Sequence, residues 1–218
     1  MRIVIAGGHG QIALRLERLL AGRGDEVAGL IRKPEQADDL REAGAEPVVL
    51  DLESASVEEV AERLRGADAA VFAAGAGPGS GVARKDSVDK AAAVLFADAA
   101  VRAGVRRFII VSSMAADPEH PGDEIFDVYL RAKGEADAYV RSQRGLDWTI
   151  LRPGQLTDDA GTGQVRLEAR TGRGPIPRDD VAAVLADLLD TPATAGLTLE
   201  LITGSTPVPV AVKSVAGN

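Results

Sequence analysis

The 218-residue chain contains no cysteine. Disulfide scaffolding, zinc held on thiolates and cysteine nucleophiles are thereby excluded. Histidine occurs only twice, at His9 and His120. The two lie far apart and no group of acids has metal-ligand spacing, so no metal site is expected. Basic residues are in deficit: 25 Lys and Arg stand against 33 Asp and Glu, a formal net charge of −8. A binder of phosphate backbones usually carries the opposite balance, so nucleic acid is not an expected partner. Long hydrophobic runs are missing as well. Ile3–Ala6 is too short for a signal-peptide core, and Ala91–Ala97 stops at Asp98, well under the ~18 residues a membrane span needs. The expectation is a cytoplasmic protein without a membrane partner.

What is present is an alternation of short apolar runs with helical patterns. Strands are predicted at Arg2–Ala6, Glu26–Ile31, Glu46–Leu50, Ala69–Ala73, Arg107–Ser112, Asp147–Arg152 and Leu197–Ile202. Helices are predicted at Gln11–Arg23, Pro34–Ala43, Ser56–Arg65, Asp86–Ala103, Ile125–Arg141 and Arg178–Leu189, with Gly104 closing the fourth. Continuously apolar strands between helices define an α/β fold: a doubly wound parallel sheet with helices on both faces. No stretch reads as an interdomain linker. Residues 1–218 are therefore expected to form one Rossmann domain, with residues 154–218 adding a small substrate-side region. Thr206–Asn218, with two prolines, is expected to wrap the surface or fray.

The turn after the first strand reads Gly7-Gly8-His9-Gly10-Gln11-Ile12-Ala13. Strand before and helix after make this glycine spacing a dinucleotide-binding signature. Gly7 permits the tight turn, Gly10 admits a pyrophosphate, and Ala13 lets the helix sit close to the sheet. The N–H groups of Gln11 and Ile12 then face the phosphates, with His9 above them. NAD sites usually place Asp or Glu at the end of the second strand, against the ribose hydroxyls. Here that end reads Ile31-Arg32-Lys33. Arg32 can fork onto a 2′-phosphate and Lys33 adds charge, so NADP(H) is expected ahead of NAD(H). Asp51 and Leu52 close the third strand beside the adenine. Ala73, Ala74 and Gly75 close the fourth and are small enough for the cofactor ribose to lie against the backbone.

Tyr129 and Lys133 are four residues apart on one predicted helix, hence side by side. An ammonium beside a phenol favours the phenolate and makes an acid/base group for a carbonyl–alcohol pair. Lys133 is also a candidate for the nicotinamide ribose. Ser112 and Ser113 end the fifth strand, where a hydroxyl can polarise a substrate oxygen. The run at residues 75–85 reads either as a lid or as a loose connection.

Taken together, GGHGQIA at 7–13, IRKPEQ at 31–36, LDL at 50–52, FAAGAG at 72–77, RFIIVSS at 107–113, YLRAK at 129–133 and LRPGQLTD at 151–158 resemble the short-chain dehydrogenase/reductase superfamily. The likeness is closest to its short atypical, NmrA-like NAD(P)-binding members. The resemblance implies Tyr129 as acid/base, Lys133 as its partner and Ser113 as the catalytic serine. It places Pro153, Gly154, Gln155 and Leu156 beside the nicotinamide, and it implies a homodimer as a common assembly. One position departs from the pattern. Asp89 stands where the family often has Asn, and a carboxylate there changes the proton relay or leaves it unused. The leading expectation is an NADP(H)-dependent oxidoreductase acting on a small carbonyl or alcohol. A redox sensor that binds the cofactor without turnover, or an epimerase or isomerase that uses it transiently, stays open.

Overall fold

The computed structural model describes residues 1–77, 81 and 84–217. The strands are β1 Arg2–Ala6, β2 Glu26–Ile31, β3 Glu46–Val49, β4 Ala69–Phe72, β5 Arg107–Val111, β6 Asp147–Pro153, β7 Gln155–Thr157, β8 Gln164–Glu168, β9 Pro175–Pro177, β10 Leu197–Thr203 and β11 Thr206–Pro207. The helices are α1 Gln11–Gly22, α2 Ala37–Glu42, α3 Val57–Leu64, α4 Ala92–Ala103, α5 Ile125–Ser142, α6 Arg178–Leu189 and α7 Val208–Ala216. Ser56 heads α3: its hydroxyl accepts from the Glu59 N–H while the Glu59 carboxylate returns to the Ser56 N–H. Gly104, at φ 76°, ends α4 in the left-handed conformation.

Nine strands form one sheet in the order β11-β8-β10-β6-β5-β4-β1-β2-β3, and β7 pairs with β9 in a separate ribbon. From β1 the chain winds outward to β2 and β3, then crosses back to β4, β5 and β6 on the other side. The turn of direction lies between β1 and β4, where ligands of open α/β sheets settle at the carboxyl ends of the strands. Side chains of β1 alternate between two cores. Ile3 and Ile5 pack with Leu16 and Leu20 of α1 and with Val184 and Leu185 of α6. Val4 and Ala6 pack with Val60 of α3, Phe96 of α4 and Ala136 of α5. Phe96 lies between Phe72 and Phe108, with ring centroids 6.0 and 5.9 Å apart. No described helix is long and apolar enough to cross a membrane.

The expected doubly wound sheet is present, and it gains β8, which runs antiparallel to β10 and to β11. Its sequence QVRLE alternates buried Val165 and Leu167 with exposed neighbours, the signature of a half-covered strand. The helix expected over Asp86–Ala103 begins as a π-helical segment, Lys85–Ala91, before α4. Residues 155–177, within the small substrate-side region expected over 154–218, contain β7, β8 and β9. Thr206–Ala216 is β11 and α7, whose Val208, Ala211 and Val212 are buried. Pro207 and Pro209 stand before and inside the first turn of α7, where proline removes no helical hydrogen bond.

Candidate functional site

The β1–α1 turn lies against the end of β4. Gly7 has φ +77°, and a Cβ there would come within 2.6 Å of the Ala74 Cα. Only glycine takes this conformation and this approach together. The Gly10 N–H closes the turn on the Gly7 carbonyl at 2.8 Å. Gly10 then heads α1 with no side-chain cap, so the first-turn N–H groups keep their free valence and the helix its positive end. Turn and strand ends enclose a cavity of about 290 Å³. It is lined by Gly7, His9 and Gly10, by Arg32, Gln36, Asp51, Leu52 and Glu53, and by Ala73, Ala74 and Gly75. A side-chain-free cradle at an uncapped helix start fits a dinucleotide pyrophosphate. Among the described residues no cluster of His, Asp or Glu could hold a metal ion.

His9 is held at both ring nitrogens. Nδ1 accepts from the Gln36 amide at 3.1 Å, and Nε2–H donates to Asp39 at 2.6 Å. The Asp51 carboxylate accepts from the Glu53 N–H at 3.0 Å. Glu53, not anticipated from sequence, gathers the outer rim. It accepts from Arg32 at 3.3 Å, from Arg84 at 2.8 Å and from the Ser87 hydroxyl at 2.7 Å. The Ser87 hydrogen bond, then Arg84 and Arg32, hold this carboxyl below its usual range. Gln11, Ile12 and Lys33 do not line the cavity. The run at 75–85 lies partly outside the described residues.

Next to the cavity is a second cluster. Lys133, buried on α5, donates to the carbonyls of Val111 at 3.2 Å and Ala74 at 3.5 Å. Its Nζ is 3.4 Å from the fully buried Asp89 carboxylate. Asp89 also accepts from the Ala76 N–H at 3.4 Å and lies 4.0 Å from Lys85 Nζ. Tyr129, one turn before Lys133, is half-buried, with its ring stacked on exposed Phe126 at 5.8 Å. Ser113 is half-buried and donates to the Met114 carbonyl at 3.2 Å. Ser112 is buried and turned the other way, donating to Asp137 at 2.9 Å. Pro153 ends β6 in the core, while Gln155 and Leu156 are exposed on β7. The Gly154 N–H donates to Leu201 and the Gln155 N–H to Gly174. None of Tyr129, Lys133, Ser112, Ser113 or Pro153–Leu156 lines the 290 Å³ cavity itself.

A doubly wound sheet with a glycine cradle at its crossover defines a nucleotide-binding α/β protein of the dinucleotide class. The NAD(P)H-binding family matches residues 7–192, and the chain belongs to that family, an oxidoreductase- and epimerase-like group among the atypical short-chain dehydrogenases/reductases. A Bacillus subtilis protein named as an uncharacterized sugar epimerase, YhfK, is 38% identical over 99% of this chain and 100% of its own length. A solved structure from Bacillus halodurans, described as a candidate NAD-dependent epimerase/dehydratase, superposes with a TM-score of 0.90. It is 36% identical and the match covers 98% of this chain and 99% of that one. The Escherichia coli O157:H7 anaerobilin reductase ChuY superposes with a TM-score of 0.78 at 26% identity, covering 93% of this chain and 97% of ChuY.

Proposed function

We propose that the chain is an NADPH-dependent reductase of small carbonyl compounds, with residues 154–218 forming the substrate side of a single domain. The observation that carries this reading is a shared wall. Ala74, Gly75 and Ala76 line the nucleotide cavity, and the same segment receives Lys133 and binds Asp89 through main-chain groups. A cofactor bound in the cavity would lie along the wall that Lys133 and Asp89 contact, one helical turn from Tyr129. Gly7, Gly10 and the start of α1 would hold its phosphates, and Asp51 and Leu52 its adenine side. When bound, the nicotinamide supplies the hydride. Tyr129 donates the proton from its Oη to the substrate oxygen, and the Ser113 hydroxyl donates a hydrogen bond to the same oxygen. Lys133 stabilises the phenolate that remains.

Arg32 and Arg84 share the Glu53 carboxylate, so these three side chains carry one net positive charge toward a 2′-phosphate, with Asp51 lying on the adenine side of the same cavity. In calorimetric titrations, NADPH is expected to bind more tightly than NADH. Replacing Arg32 by Ala is expected to weaken NADPH about tenfold or more, the loss of a charge-assisted contact, and to leave NADH nearly unaffected. Equal affinities in the parent protein would remove the NADP preference. The catalytic step is tested by Tyr129→Phe against a panel of small aldehydes and ketones. Turnover is expected to fall roughly 100-fold or more with NADPH binding retained. Unchanged NADPH oxidation by the variant would overturn the assignment. Substrate turnover with no net NADPH consumption would instead point to the epimerase chemistry in the name of the B. subtilis relative.

A further inference from the structure

One buried carboxylate lies between two ammonium groups beside Tyr129. Asp89 is fully buried, with Lys133 Nζ at 3.4 Å on one side and Lys85 Nζ at 4.0 Å on the other. Lys85 is itself buried and donates to the Gly77 carbonyl at 3.2 Å. Its Nζ is 5.1 Å from the Tyr129 ring centroid, closer than Lys133 at 6.0 Å. Charge decides what this arrangement does. In a site with lysine alone, the tyrosine faces one full positive charge. Here Asp89 cancels the charge of one lysine, and at this range inside a protein such a cancellation is large. With only Lys133 and Asp89, Tyr129 would face a neutral pair. Lys85 brings the cluster back to one net positive charge.

We propose that Lys85 is a second positioning lysine of the Tyr129 centre, restoring the positive field that Asp89 removes and thereby favouring the phenolate. This rests on the reading of Tyr129 as the acid/base group. The neighbouring charges are engaged elsewhere. Asp86 lies 3.7 Å from Lys90, which pairs with Glu135 on α5 at 2.5 Å. Asp127 faces His120 at 3.2 Å, and Arg131 donates to the carbonyls of His120 and Gly122 and lies 3.6 Å from Asp123. The π-helical segment carries Lys85 and Asp89 together, both buried, against α5.

The test is the optical titration of the Tyr129 phenol, read from phenolate absorbance without cofactor or substrate. The chain has two tyrosines, so all variants are made in a Tyr139→Phe background. Lys85→Met is expected to move the appearance of phenolate to higher pH, and Asp89→Asn to move it to lower pH. The double variant carries the same net charge as the parent and is expected to titrate near it. Lys85→Arg, which keeps the charge, is expected to do the same. An unmoved titration in Lys85→Met overturns the proposal. So does movement of Lys85→Met and Asp89→Asn in the same direction, which is the result of mere loosening. The outcome is independent of turnover, so a failed carbonyl screen and a failed lysine assignment are told apart.

Discussion

Replacing Glu17 by Gln or Met should make the protein more stable at pH 8 and remove a pH dependence expected of the parent. Glu17 lies on the buried face of α1 with no exposed surface, and neither carboxyl oxygen has a hydrogen-bond partner. The carboxyl occupies a hollow left by two glycines. Cβ atoms built on Gly8 and Gly29 would come within 3.0 and 2.6 Å of its Oε1. Burial pushes this carboxyl from 4.5 up to about 8, against a small opposing pull from Arg18. The sign follows from where the proton sits. Below about pH 4.5 folded and unfolded chains both hold it. Between 4.5 and 8 the unfolded chain releases it while the folded chain must keep it, so stability falls as pH rises. Above 8 both forms are ionised and the loss levels off. A shift of this size corresponds to roughly 3–5 kcal/mol across the window. Urea unfolding at pH 5, 6.5 and 8 reads the difference between parent and variant, which cancels the other carboxylates. The gap should widen steadily with pH for both variants. For Met a gap of about 1–3 kcal/mol should remain at pH 5, from removing an unpaired buried carboxyl. Parallel pH profiles would show that Glu17 is ionised and solvated in the folded protein.

Glu17 also marks where sequence reading stops short. Its position was legible: Ile12, Ala13, Leu16 and Leu20 define the inner face of α1, and Glu17 lies four residues after Ala13 and three before Leu20 on that face. The glycine turn is legible in the sequence because Gly7, at φ +77°, carries a conformational requirement visible from a single residue. Arg32 was legible as the tip of β2, yet its engagement was not. Glu53 and Arg84 come from two other segments, and no local pattern announces a contact between three chain ends. Lys85 stayed hidden for a related reason. Tyr129 and Lys133 share a helix, so spacing alone brings them together. Lys85 reaches the same ring from the π-helical segment, whose hydrogen-bond register residue patterns do not reveal. Asp89 was recognised as a departure, but its neutralisation by two lysines is a fact of three dimensions. Period-2 alternation is present in β8, but the segment is five residues long and rich in charge, so the pattern alone does not mark a strand.

The second large effect is expected at Arg152. Asp137 on α5 has no exposed surface, and its Oδ2 accepts from Arg152 Nε at 2.9 Å, Arg152 Nη2 at 2.7 Å and Ser112 Oγ at 2.9 Å. The guanidinium and the carboxylate satisfy one another in the interior, with the second carboxyl oxygen left without a partner. Removing the cation alone strands a buried negative charge. Arg152→Leu is therefore expected to cost about 3–5 kcal/mol in urea unfolding, whereas the Arg152→Leu/Asp137→Leu pair should recover most of that. A single variant within 1 kcal/mol of the parent would mean that Asp137 is neutral in the core, and a double variant no better than the single would assign the loss to packing. The consequence reaches the site. Ser112 is buried and tied to Asp137, which leaves Ser113, half-buried and donating to the Met114 carbonyl, as the serine not held by the core network. Once Asp137 and Arg152 are gone, the Ser112–Ser113 link loses its anchor to α5. In the double variant, near-parent stability should accompany a loss of turnover larger than any loss of NADPH affinity, because the nucleotide cavity contains none of these residues. Equal losses in binding and turnover would instead place the network in the support of the cradle.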